Sequence, residues 1–265
     1  MNQKLFRSVI VVALFIIGLV LLYRWGGTSM HKKVETEQKE TSEQGVQIND
    51  KVYKTPNPYT VLDVVYPQFT GVDASFNKKI DDFVQARIAE HVKNAQDNWQ
   101  ARHETDPENI PAVPTANDEK FQFSVKYDIS QVNNSTISIL IRYGGYEGGA
   151  HGYEGIEAFN YNVVAQKEIT LQDLFPNDKN YLVTISKFTR NDITNRLKAD
   201  AITNGATLAN WEDYVDVKMI NEGTSPNIAN FLAFTFTDET IIFHFPEYQV
   251  GPYVLGQVDV VMPRQ

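Results

Sequence analysis

Ser8 to Tyr23 reads SVIVVALFIIGLVLLY, an apolar run without a single charge. Such a run belongs in a bilayer or in a leader that is removed, because water is a poor solvent for it. Leu5 and Phe6 extend it toward Lys4. At about 1.5 Å per residue, Leu5 to Tyr23 nearly crosses a hydrocarbon core about 30 Å thick. Two readings compete, a cleaved signal peptide and a retained anchor. Arg24-Trp25-Gly26-Gly27-Thr28-Ser29-Met30 follows without a clean A-x-A pattern, and Tyr23 and Trp25 suit an interfacial belt, which favours the anchor. Flanking charge hardly sets the orientation, with Lys4 and Arg7 on one side and Arg24, Lys32 and Lys33 on the other. Early placement and a short flank predict a single pass through the cell membrane with the C-terminal domain extracytoplasmic. Residues 1–7 are then a cytoplasmic tail and 8–27 a transmembrane signal anchor, touching lipid through 8–23.

Beyond the anchor the chain turns acidic. Three of its 24 Lys and Arg residues lie in the first 27, so the other 21 face all 33 acids, a formal charge of −12. Nucleic acid is a poor partner for that surface, which lacks the clustered cations that neutralise phosphate. A cationic protein would be steered toward it, although acidity also serves plain solubility. The absence of cysteine removes disulfides, thiolate metal sites, cysteine nucleophiles and a lipidated cysteine together. Residues 28–51 are polar and nearly free of large apolar side chains, the composition of a solvated stalk.

From residue 52 the patterning is that of a folded body. Tyr59 to Phe69 reads as a strand ended by Pro67. Phe76, Ile80, Phe83, Val84, Ile88, Val92, Ala95 and Trp99 recur at helical spacing behind an Asp73 or Ser75 cap, with Lys78, Lys79, Arg87 and Lys93 on the wet face. Pro107, Pro111 and Pro114 mark a loop. Phe121, Phe123, Val125 and Tyr127 alternate, as do Ile137, Ile139, Ile141 and Tyr143, predicting a hairpin about Asn133-Asn134. A third strand is expected over Glu157 to Val164 and a short helical turn over Leu171 to Phe175. A second long helix is capped by Asn177 or Asp178, with Tyr181, Leu182, Ile185, Phe188, Thr189, Ile193 and Leu197 on one side. The stretch around Trp211 has no clear pattern. Phe231 to Phe236 and Thr240 to Phe245 form a hairpin about Asp238-Glu239, and Gly256 to Met262 is the last strand. The expected class is α+β, antiparallel sheets with packed helices, preceded by one transmembrane helix. Residues 52–165 and 166–265 are read as a first and a second α+β subdomain.

The unusual segment is Gly144 to Gly155, GGYEGGAHGYEG, with six glycines in twelve residues. It lacks the lysine and spacing of a phosphate loop. It reads either as a wide bulged connection, with His151 bonded locally to backbone, or as a partner contact. Glu147, His151 and Glu154 would allow acid–base work only if they converge in one cleft. The five histidines show no zinc spacing, so no metal and no cofactor is expected. His91 falls on a helix flank, where a surface or half-buried satisfied role is expected, and His244 among phenylalanines reads as structural. No G-x-S-x-G elbow is present, and nothing calls for an enzyme.

ISILIRYGGYEGGAHGYEGIEAFNYNV with the LQDLF turn, YTVLDVVYPQF before it and FTFTDETIIFHFPEYQVGPYVLGQVDVVMP after it resemble a paired extracytoplasmic module of unknown function. That module occurs in the ectodomain of RsiV-type lysozyme-sensing anti-sigma factors and ahead of the catalytic domain in PdaC-type peptidoglycan deacetylases. The resemblance runs from about residue 52 to 263. It implies a membrane-anchored binding module of the bacterial cell envelope, with lysozyme or a similar cationic protein as partner, or peptidoglycan glycan as the alternative. Seven residues before the apolar run are too few for a sigma-binding segment, and no deacetylase domain is recognised, so the expectation is the module without either output. The contact residues expected are Tyr146, Glu147, Gly148, Gly149, His151, Gly152 and Tyr153 from the glycine-rich loop, with Tyr248, Pro252 and Tyr253. Gly149→Val is expected to disrupt that loop by backbone strain.

Overall fold

A strand, a long helix and a second strand running parallel to the first organise the N-terminal half. β2 (Thr60–Thr70) leads through α1 (Ala74–Thr105) to β3 (Phe121–Val132), which pairs with β2 in parallel from Thr60↔Phe121 to Val64↔Val125. The expected α+β class with antiparallel sheets holds for the other strand pairs among the described residues, and this parallel pair is the departure from it. Parallel neighbours need a long crossover, and α1 with the proline loop supplies it. The helix starts where Asp73 accepts from the Ser75 amide and contains neither Pro nor Gly. It buries Phe76, Ile80, Val84, Ile88, His91, Ala95 and Trp99 and ends at Asp106, just before Pro107.

The computed structural model describes residues 45–264. The expected cytoplasmic tail over 1–7, the expected anchor over 8–27 and most of the expected stalk lie outside the described residues. Among the described residues no helix is long and apolar enough to cross a membrane. The last residues of the expected stalk are not stalk: β1 (Gln47–Val52) pairs antiparallel with the second half of β2, although almost every side chain in it is exposed. No apolar alternation announces such a strand, because backbone pairing alone holds it. Pro67 stays inside β2 for a related reason. Tyr53 N–H donates to Val64 O, so the alternation of that ladder turns position 67 away from β1, and β3 pairing has already ended at Val64.

β4 (Thr136–Tyr146) follows β3 through the Asn133 turn, whose side chain accepts from the Ser135 and Thr136 amides. β5 (Tyr153–Asn162) and β6 (Lys167–Glu168) complete a six-stranded sheet in sequence order. α1 covers one face, and Ile80, Val84, Ile88, Val125, Ile139 and Phe159 belong to the core between them. A capping box at Thr170 opens α2 (Leu171–Leu174). α3 (Tyr181–Thr203) starts at Asn180 rather than at Asn177 or Asp178; Asp178 instead binds the Asn180 amide and the Thr184 hydroxyl. The stretch around Trp211 holds a 3-10 turn (Trp211–Asp213) and α4 (Val217–Gly223). β7 (Phe234–Phe236), β8 (Thr240–Phe245) and β9 (Val258–Pro263) form an antiparallel second sheet. Ile185 and Ile193 of α3 pack with its Phe243, Phe245 and Val260 in a second core.

Both sheets belong to one compact unit. Buried polar bonds join them: Ser138 Oγ–H donates to Asn160 Oδ1 at 2.7 Å, Asn160 Nδ2 to Phe234 O at 2.8 Å, and the Phe236 amide to Ser138 Oγ at 2.8 Å. β7 thus covers the far half of the β4–β5 face that α1 leaves free. Asn160→Ala would leave a buried carbonyl and hydroxyl short of partners, so urea unfolding should show a loss of about 2–3 kcal/mol. A loss under about 0.5 kcal/mol would mean that this junction does not hold the sheets together.

Candidate functional site

Half of the glycine-rich segment is strand. β4 continues to Tyr146 and β5 begins at Tyr153, leaving a loop of only Glu147 to Gly152. The wide bulged connection is corrected to a regular ladder, with Gly145↔Tyr153 and Gly144↔Glu154 as cross-strand partners, while His151 does bond locally to backbone, its Nδ1 2.7 Å from Gly152 O. Alternation places Tyr153 on the α1 side of the sheet and Glu154 on the open side.

His91 of α1 holds the start of that loop. It is buried, its ring stacked on Phe123 with centroids 4.7 Å apart. Nδ1 lies 2.8 Å from Glu147 Oε1 and 3.1 Å from the Tyr153 hydroxyl, which itself donates to Glu147 Oε1 at 3.2 Å. Nε2 lies 2.8 Å from Thr60 Oγ1. A carboxylate only accepts, so the proton sits on Nδ1 and the Thr60 hydroxyl donates to Nε2. Asn94 Nδ2 also reaches Glu147 Oε2 at 3.2 Å, and Asn98 Nδ2 reaches the Glu147 carbonyl at 2.7 Å. One face of α1 therefore grips Glu147 three times. Burial pushes the His91 imidazole below its ordinary range, with the Glu147 charge opposing; burial and then the same charge push the Tyr153 phenol up. Gly145 is required here, since a Cβ would come within 2.3 Å of Gln122 O and 3.0 Å of His91 Cε1.

Carboxylate, imidazole and hydroxyl stand in the order of a nucleophilic triad. Thr60 and His91 are nevertheless both buried, so no substrate reaches the hydroxyl and the relay works as a clamp. A second relay of the same order spans the two sheets: Asp259 Oδ1 to His244 Nδ1 at 2.8 Å, and Nε2 to Thr235 Oγ1 at 2.9 Å, which accepts from Ser130. Burial raises the Asp259 carboxyl, but the His244 bond and nearby charge outweigh it and hold the group below the usual range.

The open side of the sheet forms a cleft of about 520 Å³. Its floor and flanks come from Asp63, Lys126, Arg142, Tyr146 and Glu154, and its far wall from Tyr253 and Gln257. Tyr146 is 44% exposed, with its hydroxyl on Gly149 O at 3.0 Å. Gly149 takes φ +113°, a conformation closed to other L-residues, while its Cβ direction is empty, so strain and not space excludes a side chain. His151 stacks on Tyr253 at 4.1 Å, and the Tyr253 hydroxyl donates to Gly152 O at 3.3 Å. Tyr248, 54% exposed with φ +65°, sits 5.7 Å from the Tyr253 ring. Arg142 links Asp128, at 2.6 Å, to Gln257.

The structure thus brings the glycine-rich loop to the Tyr248–Tyr253 segment, with exposed Pro252 opening the 3-10 turn over Tyr253–Leu255. It does not bring Glu147, His151 and Glu154 into one site: Glu147 serves His91, His151 serves Tyr253, and Glu154 faces the cleft. Gly148, at φ +88°, lies against Phe121. Sequence reasoning missed Thr60, His91, Arg142, Lys126 and Gln257. His91 carried a usable signal, because Ile88, His91 and Ala95 continue the buried stripe at steps of three and four. Among the described residues no cluster of three or more histidines and acids is placed to hold a metal ion.

Residues 53–154 match the family described as deacetylase PdaC, and residues 172–265 match the protein family of unknown function DUF3298. The peptidoglycan-N-acetylmuramic acid deacetylase PdaC of Bacillus subtilis (strain 168) is 26% identical over 143 residues, 54% of this chain and 28% of that protein. Esterase Rv3036c of Mycobacterium tuberculosis is 23% identical over 159 residues, 59% of this chain and 63% of that protein. The chain covers less than two thirds of either relative. A solved DUF3298 family member from Bacteroides fragilis shares the fold, with TM-score 0.55 and 15% identity over 82% of this chain and 90% of that one. The chain carries a segment that matches PdaC followed by a segment that matches DUF3298, and the cleft draws on both: Arg142 and Tyr146 come from the first, Tyr253 and Gln257 from the second.

The His91 shift has a fixed sign. Above about pH 6.5 the imidazole is neutral in both states; as pH falls below that value, the unfolded chain takes up a proton that folded His91 resists. Stability should therefore fall on acidification from about pH 6.5, before the carboxylates respond. In His91→Gln, denaturant titrations should show a flatter slope between pH 6.5 and 5, and about 2–3 kcal/mol less stability at pH 7.5. An unchanged slope would remove His91 as its source. Gly149→Val should cost more than about 1 kcal/mol by the same titration.

Proposed function

We propose that the chain is an extracytoplasmic module of the bacterial cell envelope that binds the glycan strand of peptidoglycan in the cleft on the open face of its first sheet. The observation that carries this reading is the lining of the cleft. A sugar ring presents apolar C–H faces ringed by hydroxyls, and the cleft offers the exposed ring of Tyr146 beside Asp63, Arg142, Glu154 and Gln257, side chains that donate or accept in a plane. The PdaC relative, whose name places its activity on peptidoglycan, supports the same ligand class. The apolar run over 8–23 supports tethering to the membrane with this module outside. Esterase chemistry, the activity in the name of the other relative, would need an open nucleophile, and in both relays the hydroxyl that meets the imidazole Nε2 is a buried threonine.

Sedimentation with purified sacculi tests the reading. The full chain should co-sediment and stay bound in added salt, since stacking and hydrogen bonds to uncharged sugar hydroxyls are little screened. Tyr146→Ala should weaken retention about tenfold, the worth of one aromatic contact. Lysozyme, the cationic partner that the sequence resemblance implies, enters the same assay as the alternative ligand. A chain that stays in the supernatant, or a Tyr146→Ala variant that binds as well as the parent, contradicts the glycan reading.

A further inference from the structure

On the other side of the Tyr253–Leu255 turn lies a second hollow, about 870 Å³, between the end of α3, the segment 212–217 and residues 250–255. Its floor is apolar: Ala201 and Val250 are buried, and Leu197, Val215 and Leu255 are partly so. At its rim Val254 is 90% exposed and Tyr214 59%, large apolar side chains standing in water beside an unfilled apolar floor. The same turn serves both sites, with Tyr253 facing the glycan cleft and Val254 this hollow.

Four carboxylates, Asp200, Glu212, Asp213 and Asp216, line the hollow, and its lining holds no Lys or Arg. Asp216 caps α4 through the Met219 amide. Among the described residues none of the four takes part in an ion pair, whereas Lys198 lies over the Trp211 ring, 5.1 Å from its centroid. A ring of unneutralised negative charge around apolar surface repels anionic glycan, nucleic acid and anionic lipid. It fits a partner that is apolar and cationic at once.

We infer that this hollow docks a basic amphipathic peptide segment, one that sets an apolar side chain on the Ala201–Val250 floor and pairs flanking Lys or Arg with the rim carboxylates. A volume of this size takes more than one side chain, which favours a peptide over a small cation. The inference stands apart from the glycan reading, as it uses neither Tyr146 nor the cleft.

Fluorescence anisotropy of a labelled ten-residue peptide alternating Leu and Lys, titrated with the full chain, tests it. Two control peptides replace Lys by Glu or Leu by Ser. The Leu/Lys peptide should bind, and both controls should bind at least about tenfold more weakly. The triple variant Asp200→Asn, Glu212→Gln, Asp213→Asn removes exposed charges outside any helix cap and should weaken binding about tenfold, each rim charge contributing a fraction of a decade. Val254→Ser should weaken it without changing its salt dependence. No binding of the Leu/Lys peptide, equal binding of either control, or undiminished binding to the triple variant overturns the inference. Sacculus binding by the triple variant should equal that of the parent, which separates failure here from failure of the cleft reading.

Discussion

The contact between His91 and Glu147 is the interaction on which the functional end of the molecule depends. A buried imidazole is costly unless both nitrogens are satisfied, and here Thr60 of β2 takes one while Glu147, just past β4, takes the other. The ring thereby ties the first strand of the crossover to the loop that follows the fourth strand, across α1. Because His91 must fit beneath the sheet, the strand above it has Gly145 at that register, and Glu147 fixes where the chain turns back toward Tyr153. The rim of the cleft inherits its position from this clamp.

The second relay, through His244, does the equivalent for the junction of the sheets. Asp259 of β9, His244 of β8, Thr235 of β7 and Ser130 of β3 make one hydrogen-bonded line from the second sheet into the first. Ser130 sits at the register shift between Ile129 and Gln131, so an irregularity in β3 aims its hydroxyl across the junction. Neither relay exposes a nucleophile; both make a composite surface rigid. That surface draws residues from the PdaC-like and the DUF3298 segments, so its cleft needs both.

Much of this was legible in the sequence. The α1 stripe, the Asn133 hairpin and the last strands follow from apolar periods of 3.6 and 2. What was not legible depends on tertiary partners. β1 has no apolar alternation because it is held by backbone bonds at a sheet edge. Pro67 signalled a strand end, yet its missing amide faces away from its one neighbour. The parallel pairing of β2 and β3 was implied by a strand, a helix and a strand in succession, but the choice between that crossover and a meander lies in packing. At the site, the glycine-rich loop and the Tyr248–Tyr253 segment were visible as unusual composition. Arg142, Lys126 and Gln257 were not, since a polar residue on a strand says nothing about which face stays open.

Amide hydrogen exchange of the full chain, with and without solubilised peptidoglycan fragments, tests the central claim most directly. Binding in the cleft predicts slowed exchange over residues 142–146, 153–156 and 253–257, with α1 unchanged because the clamp is already closed. Unchanged exchange in those three segments, or slowing confined to residues 197–217, would contradict it.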